Sequence, residues 1–290
     1  MDSKTNVISF QGWAGANSDM ACRTLYPGYQ THACPTFEET IGAVEEGRAD
    51  LAMIPIDNSV AGRVADIHHL LPHSSLHIVR EHFQRVRHNL LARPGTGLAE
   101  IREVHSHVHA IGQCKEFLRA HGLTPVVHAD TAGAARMISE SAEPGRAAIA
   151  STLAAEIYGL EVLASDIEDA EHNTTRFVVM ASEPKWPEAG TAGLLTSFVF
   201  EVRSVPAALY KALGGFATNG INMTKLESYM VEGRFSQAQF YADVEGHPQD
   251  PPMRRAFEEL DFFTKSVRIM GVYPAHSFRS DPSQTTDAAD

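Results

Sequence analysis

Residues 181–193 read ASEPKWPEAGTAG, and this stretch divides the chain into two parts with different patterns. It contains two prolines and two glycines without apolar periodicity, which is typical of a linker. Upstream, from residue 6 to about 180, short β-rich runs alternate with helical patterns, which predicts βαβ units and a mainly parallel sheet. Downstream, the order strand, helix, two strands, helix, strand predicts a ferredoxin-like βαββαβ unit.

The composition is that of an ordinary globular protein. Of 290 residues, 43% are hydrophobic and 21% are charged, and the length favours two domains. The start, MDSKTNVISFQG, has no signal-peptide pattern, and no apolar run is long enough for a bilayer, so we expect a cytoplasmic protein without a membrane partner. A net charge of −12 disfavours nucleic acid as a partner. The three cysteines, Cys22, Cys34 and Cys114, are expected to be reduced and buried.

Four polar clusters follow or precede apolar runs, at the strand ends where open parallel sheets bind ligands. The first two are FQGWAGANSD, residues 10–19, and PIDNSVAG, residues 55–62. Gly12 lets the backbone approach a ligand, and Ser18 lies at a helix start where free N–H groups bind a carboxylate. Asn58, Ser59 and Gly62 suit an anion in the same way. Plain capping turns explain both clusters as well.

The other two clusters are SHVHAIGQC, residues 106–114, and NTTRF, residues 173–177. Ser106 and His107 lie at a predicted strand end and Gln113 on the following helix, where it is also compatible with a solvated position. Arg176 precedes a buried strand and needs an anionic partner, either an internal carboxylate or a substrate.

The histidines of HSHVH were also considered as metal ligands. On one strand, His105, His107 and His109 would share a face, as a zinc site requires. No cysteine or carboxylate stands at ligand spacing, so we predict a polar strand end and no metal.

Taken in order, the blocks resemble those of prephenate dehydratases. They are FQGWAGANSD, PIDNSVAGRV, VHSHVHAIGQC, HADTAGAA, AAIASTLAAEIYGL and NTTRF, and the downstream part resembles the ACT domain that commonly follows this enzyme. The resemblance covers about residues 6–275, and NTTRF is its most specific part.

This resemblance implies an α/β protein with a two-lobed catalytic region similar to type II periplasmic binding proteins, followed by a ferredoxin-like ACT regulatory domain. The implied bounds are as follows: catalytic region 1–182, with lobe 1 at about 1–78 and 161–182 and lobe 2 at about 79–160; linker 183–193; ACT domain 194–276; disordered tail 277–290. Assembly as a homodimer or homotetramer is expected, and no cofactor is required.

The implied reaction is the decarboxylating dehydration of prephenate to phenylpyruvate in phenylalanine biosynthesis. The resemblance assigns Thr175 and Arg176 as catalytic residues. The expected substrate-binding residues are Gly12, Ser18, Asn58, Ser59, Gly62, Ser106, His107, Gln113, Thr131, Asn173, Thr174 and Phe177. L-phenylalanine is the expected effector, and the expected regulatory residues are Ala207, Ala208, Leu209, Asn222, Glu227 and Ser228.

Several positions depart from the family pattern. Asp57 stands where a glutamate is usual, Asn17 where an aromatic residue is usual, and Asp19 often where a histidine stands. These changes leave arogenate open as the substrate. The ACT-type blocks carry Ala207, Tyr229 and Met230 instead of the usual Gly, Arg and Pro, which leaves the effector open. A non-catalytic amino-acid sensor is a third reading, against which NTTRF argues.

Overall fold

The computed structural model describes residues 5–170, 172–231 and 234–280, and within these residues the chain forms two compact units. The first unit contains the residues up to Val64 together with His82–Phe177. The second contains Ala65–Glu81 and the residues from Val178 onward. The chain therefore passes from the first unit to the second, back, and out again.

The strands are β1 (Val7–Gln11), β2 (Gln30–Cys34), β3 (Leu51–Asn58), β4 (Gly62–Arg63), β5 (His77–Arg85), β6 (Asn89–Ala92), β7 (Glu103–Ser106), β8 (Thr124–Val127), β9 (Arg146–Ala150), β10 (Glu161–Ala164), β11 (Thr174–Ala181), β12 (Leu194–Val202), β13 (Met223–Val231), β14 (Arg234–Glu245) and β15 (Thr264–Pro274). The helices are α1 (Asn17–Leu25), α2 (Phe37–Glu45), α3 (Ala65–Leu70), α4 (Val108–Gly112), α5 (Lys115–Ala120), α6 (Thr131–Glu140), α7 (Thr152–Tyr158), α8 (Ala208–Thr218) and α9 (Pro251–Phe263), with short 3₁₀ turns at Leu71–His73, Leu98–Glu100 and Ser277–Ser280.

Two sheets are built from the residues before the linker. The first has the strand order β2-β1-β3-β11-β5, with β4 paired to β3, and the second has the order β10-β6-β9-β7-β8. β1 is parallel to β2 and β3, and β7 is parallel to β8 and β9. The predicted α/β class, with parallel pairing, is confirmed.

The apolar character of β3 explains its central place. Leu51, Ala52, Met53 and Ile54 are all buried, which requires cover on both faces of the sheet, as helices provide in parallel sheets. The strand becomes polar only at its last two residues, Asp57 and Asn58. Side chains at this end are therefore available for a ligand.

The predicted lobe boundaries are wrong at two strands. β5, which was divided at residue 78, lies in the first sheet over its whole length to Arg85. β10, which was assigned to the first lobe, instead pairs antiparallel with β6 in the second sheet, with Glu161 opposite Ala92. The chain thus enters the second sheet later and leaves it later than predicted.

The residues after the linker form one four-stranded antiparallel sheet. Its order is β13-β14-β12-β15, and α8 and α9 complete the predicted βαββαβ element order, which is confirmed. The helices pack on a sheet face that carries the stacked rings of Phe198, Phe200 and Phe240, and Phe216 of α8 stacks on Phe198.

α8 begins at Ala208, two residues after Pro206. Ala207 precedes it with φ 60° and ψ 26°, a left-handed conformation that glycine adopts more easily than alanine.

Residues 65–81 belong to the second unit, whereas the sequence placed them in the catalytic region. Arg268 on β15 donates to the carbonyl oxygens of Pro72 and Leu76, at 3.1 and 3.3 Å. Gly271 approaches Ile78 so closely that a Cβ at position 271 would lie 2.8 Å from the Ile78 carbonyl carbon. These contacts attach the segment to the last strand of the chain.

The predicted disordered tail begins too early. Ser277–Ser280 form a 3₁₀ turn, and Arg279 donates to both carboxylate oxygens of Glu81 at 2.8 and 2.9 Å. The Glu81 side chain is fully buried, so the ion pair orders this part of the tail. Residues 281–290 lie outside the described residues.

Two smaller findings concern cysteines and helix length. Cys22, Cys34 and Cys114 are free and buried, which confirms their predicted state. Among the described residues, every helix is too short or too polar to cross a bilayer.

Candidate active site

The polar end of β3 lies beside the start of β11. Asn58 Nδ2 donates to Thr175 Oγ1 at 3.0 Å and to Asn173 Oδ1 at 2.8 Å. Thr175 is 9% exposed and Asn173 only 1%. Residues that are more than 100 positions apart in sequence are thus joined directly, as predicted from their places at strand ends.

A second pair of contacts fastens the same two strands. Ser59 N donates to Thr174 O at 2.9 Å, and Thr174 N donates to Ser59 Oγ at the same distance. Ser59 Oγ in turn donates to His172 O at 2.6 Å. The Ser59 hydroxyl both donates and accepts a hydrogen bond, so Ser59 links the end of β3 to the start of β11.

Gln113, at the end of α4, joins the group from the side of the second sheet. Its Oε1 accepts from Asn173 Nδ2 at 2.9 Å and lies 2.7 Å from His88 Nε2. His88 is 3% exposed and was absent from the sequence prediction, because a histidine directly before the short strand NLLA carries no recognisable pattern.

Thr175 and Arg176 lie on opposite faces of the sheet, because successive side chains of a strand alternate. Arg176 Nη1 is 3.8 Å from Asp57 Oδ2, and its side chain is 6% exposed. Of the two partners considered for this guanidinium, the structure provides the internal carboxylate. Phe177 is 1% exposed and belongs to the core.

Ser106 and His107 are placed as predicted, but their polar atoms serve the protein. Ser106 ends β7 and its hydroxyl donates to Ile149 O at 2.7 Å. His107 is the N-cap of α4, where its Nδ1 accepts from His109 N at 3.3 Å. The shared-face arrangement of His105, His107 and His109 does not occur, because the chain leaves β7 before His107 and His109 is helical.

The loop after β1 contains Gly12 and leads into α1, where Ser18 lies in the first turn. Gly15 has φ 87°, and a Cβ there would lie 2.7 Å from Ala154 Cα. Ser151 Oγ donates to Gly15 O at 2.5 Å, and Tyr158 Oη donates to Ala14 O at 2.8 Å. The loop is thereby held against α7.

Thr131 and Gly62 complete the set of predicted positions. Thr131 is the first residue of α6, whose N-cap Asp130 accepts from Gly133 N. Gly62, in β4, has φ 82°, which closes the turn after Asn58. Within the described part of the chain, neither residue forms a hydrogen bond with Thr175.

A family model described as prephenate dehydratase matches residues 8–185. The chain belongs to the prephenate dehydratase family. It is accordingly an enzyme of the carbon–oxygen lyase class. The match covers all the residues of the polar group just described.

Individual proteins of this family are similar to the chain over nearly its whole length. A bifunctional N-acyl-homoserine lactone acylase/prephenate dehydratase of Komagataeibacter europaeus is 53% identical, covering 95% of this chain and 98% of that protein. The chloroplastic arogenate dehydratase/prephenate dehydratase 2 of Arabidopsis thaliana is 38% identical, over 92% and 72%. The crystal structure of prephenate dehydratase in complex with L-Phe from Arthrobacter aurescens gives a TM-score of 0.87 at 30% identity, over 94% and 91%.

Of the three positions in residues 8–185 that depart from the pattern of prephenate dehydratases, Asp19 and Asp57 have defined contacts, whereas the buried Oδ1 of Asn17 has no hydrogen-bond partner among the described residues. Asp19 is fully buried, accepts from Gly15 N at 2.8 Å and pairs with Arg23 at 2.9 Å. Asp57 pairs with Arg176. Both carboxylates therefore stabilise the loop and strand on which the family residues stand.

His88 makes the stability of this prephenate dehydratase family member sensitive to acid. Burial lowers the pKa of His88 below its ordinary value of 6.5, against the opposing effects of Gln113 and the Glu168 carboxylate. The unfolded chain therefore binds a proton below about pH 6.5 while the folded chain does not.

We expect the free energy of unfolding to fall as the pH drops below 6.5, by up to about 1.4 kcal/mol per pH unit from this one group. Urea unfolding of the wild type and His88→Gln at pH 7.5 and 5.5 measures the contribution. The wild type should lose more stability than the variant, whereas equal losses would assign the acid sensitivity to other groups.

Proposed function

We propose that the chain converts prephenate to phenylpyruvate, and that Thr175 donates a hydrogen bond to the departing 4-hydroxyl group. The observation that carries this proposal is the bond from Asn58 Nδ2 to Thr175 Oγ1. A hydroxyl has one hydrogen, and here an oxygen lone pair accepts from Asn58, so the hydrogen can point to a substrate. Among the described residues, this hydroxyl forms no other hydrogen bond.

The chemistry needs little more than a donor and an anion site. The bond between the ring and its carboxylate breaks, its electron pair completes the aromatic ring, and the 4-hydroxyl leaves with a proton as water. Carbon dioxide and phenylpyruvate are the other products. Thr175 is a weak acid, so it orients the leaving group or relays a proton that solvent finally supplies.

The substrate's carboxylates require donors that are not already engaged. Gln113 Oε1 accepts two bonds, which leaves its Nε2 group for the substrate. Ser18 and Thr131 lie at the N-terminal ends of α1 and α6, where the helix dipole favours an anion. Arg176, paired with Asp57, fixes β11 rather than a carboxylate of the substrate.

The decisive experiment is turnover by the purified protein. We expect phenylpyruvate from prephenate without any added cofactor, and we also measure phenylalanine formed from arogenate. Turnover of neither compound would overturn the proposal and favour an amino-acid sensor.

Arogenate remains the nearest alternative substrate, because the Arabidopsis relative bears both names. Its extra ammonium group would suit an unpaired carboxylate. Asp57 lies 3.8 Å from the guanidinium of Arg176, which weakens the case for this residue as an ammonium site. We therefore place prephenate first, and the ratio of kcat/KM for the two compounds measures the preference.

A second activity is suggested by the relative that is 53% identical, whose name includes N-acyl-homoserine lactone acylase. That identity is well above the 38% shared with the Arabidopsis relative. The reaction adds water across an amide and releases homoserine lactone and a fatty acid. Mass spectrometry of an N-acyl-homoserine lactone incubated with the protein tests it, with heat-inactivated protein as the control.

We also propose that residues 194–276 form a ferredoxin-like ACT regulatory domain that binds L-phenylalanine. Support comes from the βαββαβ order, the strand order β13-β14-β12-β15 and the similarity to the Arthrobacter protein in complex with L-Phe. Ala207, with φ 60°, adopts the conformation for which the family's glycine is suited. Assembly through this domain, as a homodimer or homotetramer, stays a prediction.

The proposed effector residues lie around the start of α8 and along β13. The set is Ala207, Ala208, Leu209, Asn222, Glu227 and Ser228. Ala208 is buried, and Glu227 lies 3.4 Å from Lys225 Nζ. Titration calorimetry with L-phenylalanine, with L-lysine as the control, measures binding directly.

A further inference from the structure

Five side chains in the first unit form a continuous chain of hydrogen bonds whose direction is fixed at one end. The N–H groups of Val60 and Ala61 donate to Asn58 Oδ1 at 3.0 and 2.7 Å. Backbone N–H groups can only donate, so the oxygen of this amide must face them. Its Nδ2 must then face Asn173 and Thr175, to which it donates.

The donor-to-acceptor direction that is fixed at Asn58 extends through Asn173 to Gln113. Because Asn173 Oδ1 accepts from Asn58, its Nδ2 donates to Gln113 Oε1 at 2.9 Å. His88 Nε2 lies 2.7 Å from that same oxygen. An oxygen cannot donate, so His88 Nε2 must carry a hydrogen.

This direction decides which groups are free to meet a substrate. The Thr175 oxygen accepts a hydrogen bond from Asn58, so the hydrogen of this hydroxyl remains available to a substrate. Gln113 Oε1 accepts from Asn173 and His88, so the Nε2 group of the same amide points away from these two residues. If the donor from His88 were absent, only Asn173 would fix the Gln113 amide.

The backbone around His88 is itself held in place. His88 N donates to Glu168 Oε2 at 2.9 Å, and Asp169 N donates to Gln113 O at 2.7 Å. The Asp169 carboxylate accepts from the N–H groups of Lys115 and Glu116 at the start of α5. Residues 168–169 therefore hold both the histidine and the glutamine that it contacts.

We propose that His88 is a positioning residue for the dehydration, and that its Nε2–H orients Gln113 so that Gln113 Nε2 faces the substrate. His88 does not touch the substrate. The inference rests on the proposed function, since it concerns the same reaction.

The test replaces the ring and then the residue through which it acts. We expect His88→Phe, which keeps a ring but no donor, to lower kcat/KM for prephenate by about 10- to 100-fold. His88→Gln, whose amide can still donate, should restore activity to within about threefold of the wild type. His105→Phe is the matched control, because His105 is also a buried histidine of the first unit but lies outside the hydrogen-bond chain.

A double-mutant cycle distinguishes positioning from general structural damage. In a Gln113→Ala background, His88→Phe should lower kcat/KM by less than about threefold, because the group that it orients is gone. Equal losses in both backgrounds would overturn the inference. So would a folded His88→Phe protein as active as His105→Phe, or a folded His88→Gln protein as inactive as His88→Phe.

Folding is checked by circular dichroism and thermal unfolding of every variant. If His88→Phe does not fold, His88→Asn takes its place in the same cycle, since this polar side chain is too short to reach Gln113. A wild type that turns over neither prephenate nor arogenate would overturn the proposed function and the inference with it. An active wild type with an unaffected His88 variant overturns the inference alone.

Discussion

Thr175→Val should lower kcat for prephenate by about 10²- to 10⁴-fold, with a much smaller effect on KM. Valine has nearly the shape of threonine, so β11 keeps its packing while the hydrogen that we propose meets the leaving hydroxyl is lost. The variant also leaves one donor hydrogen of Asn58 Nδ2 without Thr175 Oγ1 as its acceptor. Steady-state kinetics with prephenate measure both constants.

Thr175→Ser is the control for this variant. It keeps the hydroxyl and loses one methyl group, so its kcat should lie between those of the valine variant and the wild type. A valine variant whose kcat lies within about tenfold of the wild-type value would show that this hydroxyl does not assist the leaving group. That result would contradict the proposed role of Thr175.

Gly271→Ala should reduce the free energy of unfolding by about 2–3 kcal/mol, near the upper end of what an overpacked site costs. A Cβ at this position would lie 2.8 Å from the Ile78 carbonyl carbon and closer still to its oxygen. Neither group is a flexible side-chain end, so the two backbones must separate. Urea denaturation followed by circular dichroism measures the loss.

Gly214→Ala is the matched control in the same unit. Position 214 lies inside α8, and a Cβ there would meet nothing within 4 Å. Alanine is the better helix former, so this variant should gain up to about 1 kcal/mol. The same substitution is thus expected to act with opposite signs at two glycines, and a neutral Gly271→Ala would contradict the close approach of Ile78.

Much of the site was predictable because the ends of strands can be recognised from local sequence patterns. Asn58, Ser59, Gln113 and the NTT residues 173–175 are polar interruptions next to apolar runs, and the structure brings them together. The element order on both sides of residues 181–193 was predictable for the same reason, since periodicity and turn residues are local properties.

The remaining features depend on contacts that local patterns do not encode. The amino-acid sequence of β10 does not specify whether this strand pairs with β6 or joins the first sheet. Arg176 requires an anion, but only the fold identifies that anion as Asp57. His88 was missed because its role arises from its neighbours in space and not from its neighbours in sequence.

The attachment of residues 65–81 to β15 and Arg279 has a consequence for biosynthesis. A ribosome completes the segment early, yet its partners Arg268, Gly271 and Arg279 are synthesised about 190 to 200 residues later. The first unit is interrupted by this segment, so its two pieces are joined through a loop that stays uncovered until these partners have been synthesised. Folding of this segment in the nascent chain is therefore delayed until Arg279 has emerged, and a chain terminated before Arg268 exposes Leu76 and Ile78 to chaperones and proteases.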